Sequence, residues 1–166
     1  MRVAQPPSTM WGLTMWVALV AVAWLFLQPR LHEDRPLLSS MLHIATVLPF
    51  VTLAYLFLIN DTTLHHVAAF GGEALPLKYR FAATWAAREG PLLMWLGWMS
   101  LVAWLWRRPL PGESGQNSDA HDWRLRFMHL MSLTILLIAF SLDPFKATPA
   151  FFRGAGSVSY THLTLP

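Results

Sequence analysis

The histidines and one Arg-Glu pair hold most of the chemistry available to this sequence. His43 lies in the charge-free run Pro36 to Ile59. An ionisable group at such a depth is costly enough to suggest a role, as an axial ligand to a haem iron or a station on a proton relay. The plainer alternative is a neutral imidazole near the end of a span that reaches the interface or a backbone carbonyl. His65 and His66 are neighbours, so on a helix or strand their side chains diverge and cannot chelate one metal. They read as ordinary loop histidines. His121 and His129 flank Asp122-Trp123-Arg124, which reads as a segment entering a membrane, and no metal-ligand spacing supports a metal site. Arg88-Glu89 could bind a propionate or another carboxylate partner, although a snorkelling Arg beside an acid gives the same pattern. Zero cysteines exclude disulfides, thiol redox chemistry and thiolate metal sites.

Nine tryptophans divide in the same way. Trp104 and Trp106 precede Arg107-Arg108, and Trp123 precedes Arg124, the pattern of an aromatic belt at headgroup depth. Trp85, Trp95 and Trp98 cluster around Arg88-Glu89-Gly90. They could form a flat wall for a porphyrin, or simply pack in the core or belt.

The elements that carry these residues follow from composition. Of 166 residues, 55% are apolar and 13% charged, and mean hydropathy is +0.41. Soluble domains run near 45–50% apolar and about 25% charged, so the chain reads as a membrane protein. The net charge of +3 rests on scattered Lys and Arg, which form no basic stripe for a nucleic acid. Four apolar runs stand out, at about 11–27, 36–59, 91–106 and 123–142. As helices they measure about 25, 36, 24 and 30 Å against a hydrocarbon core of about 30 Å. The first lacks the basic n-region and small-residue cleavage site of a signal peptide and reads as a retained span. Between the second and third, Asn60 to Gly90 is too long for a turn. There Pro76 opens a short surface helix with Tyr79, Ala82, Ala83 and Ala86 on one face, and Gly90-Pro91 closes it. The fold expected is all-α: a polytopic bundle of four transmembrane helices plus one short periplasmic surface helix.

Orientation by charge is close to a tie. Arg30, Arg35, Arg107, Arg108, Arg124 and Arg126 fall on one side, and Arg2, Lys78, Arg80, Arg88, Lys146 and Arg153 on the other. The arginines crowded against the hairpin between the third and fourth spans place that side in the cytoplasm, with both termini outside.

Two stretches resemble a known family. Leu58-Ile59-Asn60-Asp61, followed by Leu75-Pro76-Leu77-Lys78-Tyr79-Arg80 and Trp85 to Trp95, is similar to the CcmF family pattern of a span ending in N-D, a periplasmic loop, then L-P-x-x-Y-[RK] and W-G-x-H-E-G-S-L-L-L-W. Phe140-Ser141-Leu142-Asp143-Pro144-Phe145 resembles the family's T-S-N-P-F ending of the next span. The resemblance covers about residues 10–153 and makes 1–156 the N-terminal transmembrane region of a CcmF-like protein. It implies cytochrome c-type biogenesis at the bacterial inner membrane, with the N-terminus periplasmic. Haem would be handled there and ligated to apocytochrome c, in company with a periplasmic haem chaperone and other maturation subunits. The family acts as a haem lyase, but its haem-ligand histidines and Trp-rich W-G-x-W-W-x-W-D segment are not in this chain. By resemblance alone, Tyr79, Arg80, Trp85, Arg88, Glu89 and Trp95 are the cofactor-binding candidates. Arg88 replaces the motif histidine and Pro91 the serine, and arginine can neither ligate iron nor shuttle protons at neutral pH. Residues 157–166 contain Val158-Ser159-Tyr160-Thr161-His162-Leu163, similar to a translated sequencing adapter, and are set aside. A competing class is a small-molecule transporter or channel subunit, for which His43 in the proline-containing second span would mark a substrate path.

Overall fold

The computed structural model describes residues 10–107 and 118–149. The loop after Arg107, with Arg108, and the tail, with Arg153 and residues 157–166, lie outside the described residues. A 3-10 turn, Met10–Gly12, leads into α1 (Leu13–Leu27). The short α2 (Leu31–Asp34) then turns the chain into α3 (Pro36–Ile59). Two more short helices follow, α4 (His65–Phe70) and α5 (Leu77–Ala83), before α6 (Glu89–Trp106) and α7 (Ser118–Leu142). The four long helices pack as a closed ring, α1 on α3, α3 on α6, α6 on α7 and α7 back on α1. The connections make neighbours antiparallel. One end of the ring therefore gathers the starts of α3 and α7 with the ends of α1 and α6, and the other end gathers the reverse set.

Local signals fix several boundaries. Pro36 begins α3, where its missing N–H has no helical partner to lose. Asn60 ends it in the left-handed conformation, φ 55° and ψ 49°, and the Asp61 N–H donates back to the Leu56 carbonyl at 3.0 Å. That reversal satisfies a carbonyl the helix leaves orphaned. The Gly90-Pro91 signal works differently from the sequence expectation. The surface helix stops at Ala83, and Gly90 and Pro91 belong to the first turn of α6. Proline is tolerated there for the same reason as at Pro36. The small-residue face is used in part: α5 rests on α3 and Ala83 packs against the apolar core, though none of its residues is fully buried.

Three helices are long and apolar enough to cross a membrane, Met10–Leu27, Pro36–Ile59 and Asp119–Leu142. The expected third span, 91–106, is helical within α6, but α6 does not join this set among the described residues. Its 18 residues carry four tryptophans and begin on Glu89, and indoles prefer the interface to the hydrocarbon centre.

The interior of the ring is graded. Towards the start of α6 it is apolar, with Leu53, Leu56, Phe57, Leu93, Leu136 and Phe145 all at most 1% exposed. Towards the end of α6 it turns polar, burying Ser39, His43, Ser100, His121 and His129. In a bilayer the apolar end is held by close packing, because lipid is as apolar as leucine, and the polar end must find partners inside the bundle.

Candidate functional site at the start of the sixth helix

Two chain reversals build a shelf at the apolar end. After Asn60, the Asp61 carboxylate accepts from the Thr63 N–H at 3.0 Å and the Thr63 hydroxyl at 2.6 Å. After α7, Asp143 takes φ 48° and Phe145 plugs the core at 1% exposure. The two returning strands of chain then join. His65 N–H donates to the Lys146 carbonyl at 2.9 Å, and Thr148 donates its N–H to Thr63 and its hydroxyl to Thr62, each at 2.8 Å. The Asn-Asp and Asp-Pro-Phe signatures are thus two halves of one structure.

On this shelf α4 turns His66 inward. Its side chain is 9% exposed and meets Phe57 and Phe70 edge-on, with centroids 5.5 and 5.4 Å away. His66 Nδ1 lies 3.8 Å from Oε2 of Glu89, whose side chain is 16% exposed. Glu89 opens α6, where unpaired N–H groups and the helix dipole favour a carboxylate. Burial pushes the His66 imidazole below its ordinary value, and the Glu89 charge opposes that shift. His66 Nε2, Glu89 Oε2, Thr84 Oγ1 and Asn60 Oδ1 are all buried without a hydrogen-bond partner. The pair sets a buried imidazole beside a carboxylate, with polar atoms on both still unpartnered. Gly90 keeps the corner tight: a Cβ there would stand 1.7 Å from the Thr84 carbonyl oxygen, so no side chain fits without moving backbone.

The six candidates from the sequence divide by environment. Glu89 alone turns into the bundle. Arg80 is a clamp, donating to the carbonyls of Glu73 at 2.7 Å, Leu75 at 2.9 Å and Leu58 at 3.3 Å. Trp85 is half-buried, edge-on to Phe81 and Phe50, and donates its indole N–H to the Met94 sulfur at 3.1 Å. Tyr79, Arg88 and Trp95 point outward, and Trp98 joins Trp95 on the exposed face of α6. The indole wall imagined for Trp85, Trp95 and Trp98 therefore reduces to the last two.

The histidines need larger corrections. His65 and His66 lie on a helix rather than in a loop, and their divergence exposes His65 while burying His66. The helical spacing of Leu64, Val67 and Phe70 around them was the available signal. His43 is buried inside the bundle, 5% exposed. Its Nδ1 meets Ser100 Oγ at 3.0 Å, its ring lies 5.5 Å from that of His129, and both line a cavity of only about 10 Å3. A porphyrin fits neither here nor between the rings enclosing His66. Among the described residues, no group of three or more His, Cys, Asp or Glu could hold a metal ion. Arg107 stacks on Trp104 at 4.3 Å and Arg126 lies over Trp123 at 5.7 Å, cation–π contacts of the kind belt anchors make.

Comparison with known proteins agrees with the resemblance to the CcmF family. No family model and no solved structure matches the chain. The cytochrome c-type biogenesis protein CcmF of Escherichia coli K12 is 34% identical over 125 residues, covering 72% of this chain and 18% of that protein. NrfE of Haemophilus influenzae, also named a cytochrome c-type biogenesis protein, is 41% identical over 90 residues, covering 54% and 14%. CcmF of Haemophilus influenzae is 31% identical over 105 residues, covering 60% and 15%. The chain spans less than a fifth of the length of these relatives. With 34% identity to one relative over 72% of its length, the chain belongs to the CcmF and NrfE family of cytochrome c-type biogenesis proteins.

Proposed function

We propose that this sequence serves cytochrome c maturation as part of a longer multi-pass protein of the bacterial inner membrane. In this reading α6 is a fourth crossing, the N-terminus is periplasmic, and the shelf with Glu89 faces the periplasm. The arginines near Arg30 and Arg107 then lie on the cytoplasmic side, which agrees with the positive-inside tendency. Haem is a substrate here, not a resident group. It meets the outer surface of α6, where the exposed faces of Trp95 and Trp98 can stack on a porphyrin and outward Arg88 can pair with a propionate. Iron ligation and thioether formation with apocytochrome c, and docking of a haem chaperone and other maturation subunits, belong to the longer protein.

One observation carries the reading: Glu89 is turned into a glycine-tight corner beside buried His66 while Arg88 before it faces outward. A surface acid with no task would be solvated instead. The test uses the longer protein carrying this sequence, expressed in a strain without its own CcmF-type protein, with c-type cytochromes read by haem staining of gels. Glu89→Ala at unchanged protein level should lower the signal at least tenfold. Wild-type staining by Glu89→Ala overturns the proposal.

A further inference from the structure

At the end of the bundle away from Glu89, α1 stops and α7 starts side by side. The two helices pack on each other, and between these ends opens a groove of about 460 Å3, within the range of about 300–1,000 Å3 that holds small ligands. Leu27 and Arg30 line it from one side, and Asp119, Asp122, Trp123 and Arg126 from the other. The apolar spans Met10–Leu27 and Asp119–Leu142 end and begin here. In a bilayer the groove therefore lies where hydrocarbon gives way to headgroups. One turn deeper, Trp24 on α1 and Phe127 on α7 carry on the exposed apolar faces of Leu27 and Trp123. A charged cleft thus stands above an apolar furrow.

The charges of the cleft are unequally paired. Arg30 takes both acids, its Nε donating to Asp122 at 2.8 Å and its Nη2 standing 3.6 Å from Asp119. Arg126 is left over. Among the described residues it makes no ion pair; its guanidinium lies 5.7 Å from the Trp123 ring, and its Nε is buried with no hydrogen-bond partner. A buried donor left unsatisfied is costly, and a guanidinium presents its donors in a fork that matches phosphate oxygens. Asp119 has the opposite surplus. Its side chain is 92% exposed and its contact with Arg30 is long, so its oxygens have room for further donors. Two arginines and two aspartates sum to zero charge, so a ligand carrying both signs complements the cleft better than a bare anion.

We propose that this groove binds the headgroup of one phosphatidylethanolamine, the phosphodiester accepting from Arg126, the ammonium donating to Asp119, and the acyl chains lying along Trp24 and Phe127. The bound lipid bridges α1 and α7 beside the Arg30–Asp122 contact. Other headgroups match less well. Choline has no N–H to donate to Asp119, and phosphatidylglycerol brings a negative charge towards two carboxylates with no ammonium to face them. Free phosphate offers Arg126 the same oxygens but leaves the apolar furrow uncovered.

The test is native mass spectrometry of the full 166-residue chain, delipidated in detergent and titrated separately with dioleoyl phosphatidylethanolamine, phosphatidylcholine and phosphatidylglycerol. One phosphatidylethanolamine should bind per chain, at least tenfold more tightly than either other lipid. Arg126→Gln should weaken that binding at least tenfold, and Asp119→Asn should bring it down to the level of phosphatidylcholine. Lys78→Gln, on α5 at the other end of the bundle, should leave it unchanged. Equal affinity for the three lipids overturns the proposal, as does a preference that survives Arg126→Gln or Asp119→Asn. Displacement of the lipid by millimolar inorganic phosphate overturns it in favour of a free-anion site. The preference is read on the parent chain, so the proposal stays open to refutation even where a variant fails to fold.

Discussion

Adding one methyl group at either of two glycines of α6 should move stability in opposite directions. In a helix, Gly→Ala gains up to about 1 kcal/mol from propensity and from the reduced entropy of the unfolded chain. At Gly97 nothing opposes the gain, because the new Cβ would meet only Val47 Cγ1 at 3.7 Å, an ordinary contact. At Gly90 the Cβ would stand 1.7 Å from the Thr84 carbonyl oxygen and 2.8 Å from its carbon. Both are backbone atoms, so a rotamer change cannot relieve the clash and the 84–89 turn must move by more than an ångström. Overpacking of this kind costs about 1–3 kcal/mol, which outweighs the propensity gain. Gly90→Ala should therefore lower the thermal midpoint in detergent by several degrees, at about 2–4 °C per kcal/mol for a chain of this size. Gly97→Ala should raise it slightly. Differential scanning fluorimetry on both variants and the parent chain reads the result. A Gly90→Ala variant as stable as Gly97→Ala would refute the close approach of Thr84, and with it the geometry that aims Glu89 inward.

Asn60→Ala should destabilise the chain by about 1 kcal/mol, since alanine must adopt the left-handed conformation that Asn60 holds at φ 55°; Asn60→Gly should not, and denaturant titration separates the two. Ser100→Ala strands the His43 Nδ1–H and should cost about 1–3 kcal/mol in the same assay. For His66, burial lowers the folded-state value, so the unfolded chain binds the proton more readily. Stability from this group is full above the ordinary histidine value of about 6.5 and is lost as pH falls below it. Midpoints measured from pH 8 to pH 5 should fall, and His66→Phe should flatten that slope; a slope unchanged in the variant counts against a buried imidazole. Glu89→Gln removes the charge that opposes the shift and should steepen the same slope.

How far the sequence could be read depended on the range of the signal. Pro36 and Asn60 bracket α3 as the sequence suggested, because a proline start and a left-handed stop act within one turn of the helix. Gly90-Pro91 could equally end one helix or begin the next, and the approach of the Thr84 carbonyl decides for the latter. The count of crossings depended on α6, whose tryptophans suit a belt as well as a span. Of the site, Glu89 was visible through its motif. His66 was not, since nothing local says that the reversals at Asn60 and Asp143 will press α4 against the start of α6.

By itself the sequence determined that the chain is helical and rich in long apolar runs, because run length and terminal residues act locally, and its motifs carried the resemblance to the CcmF family. Only the tertiary structure decided which histidines meet. The long helices are apolar nearly all round, so their patterns do not say which face turns inward. That rotation is set by packing between segments far apart in the chain, as when His43 finds Ser100 and His129, or when His66 closes on Glu89.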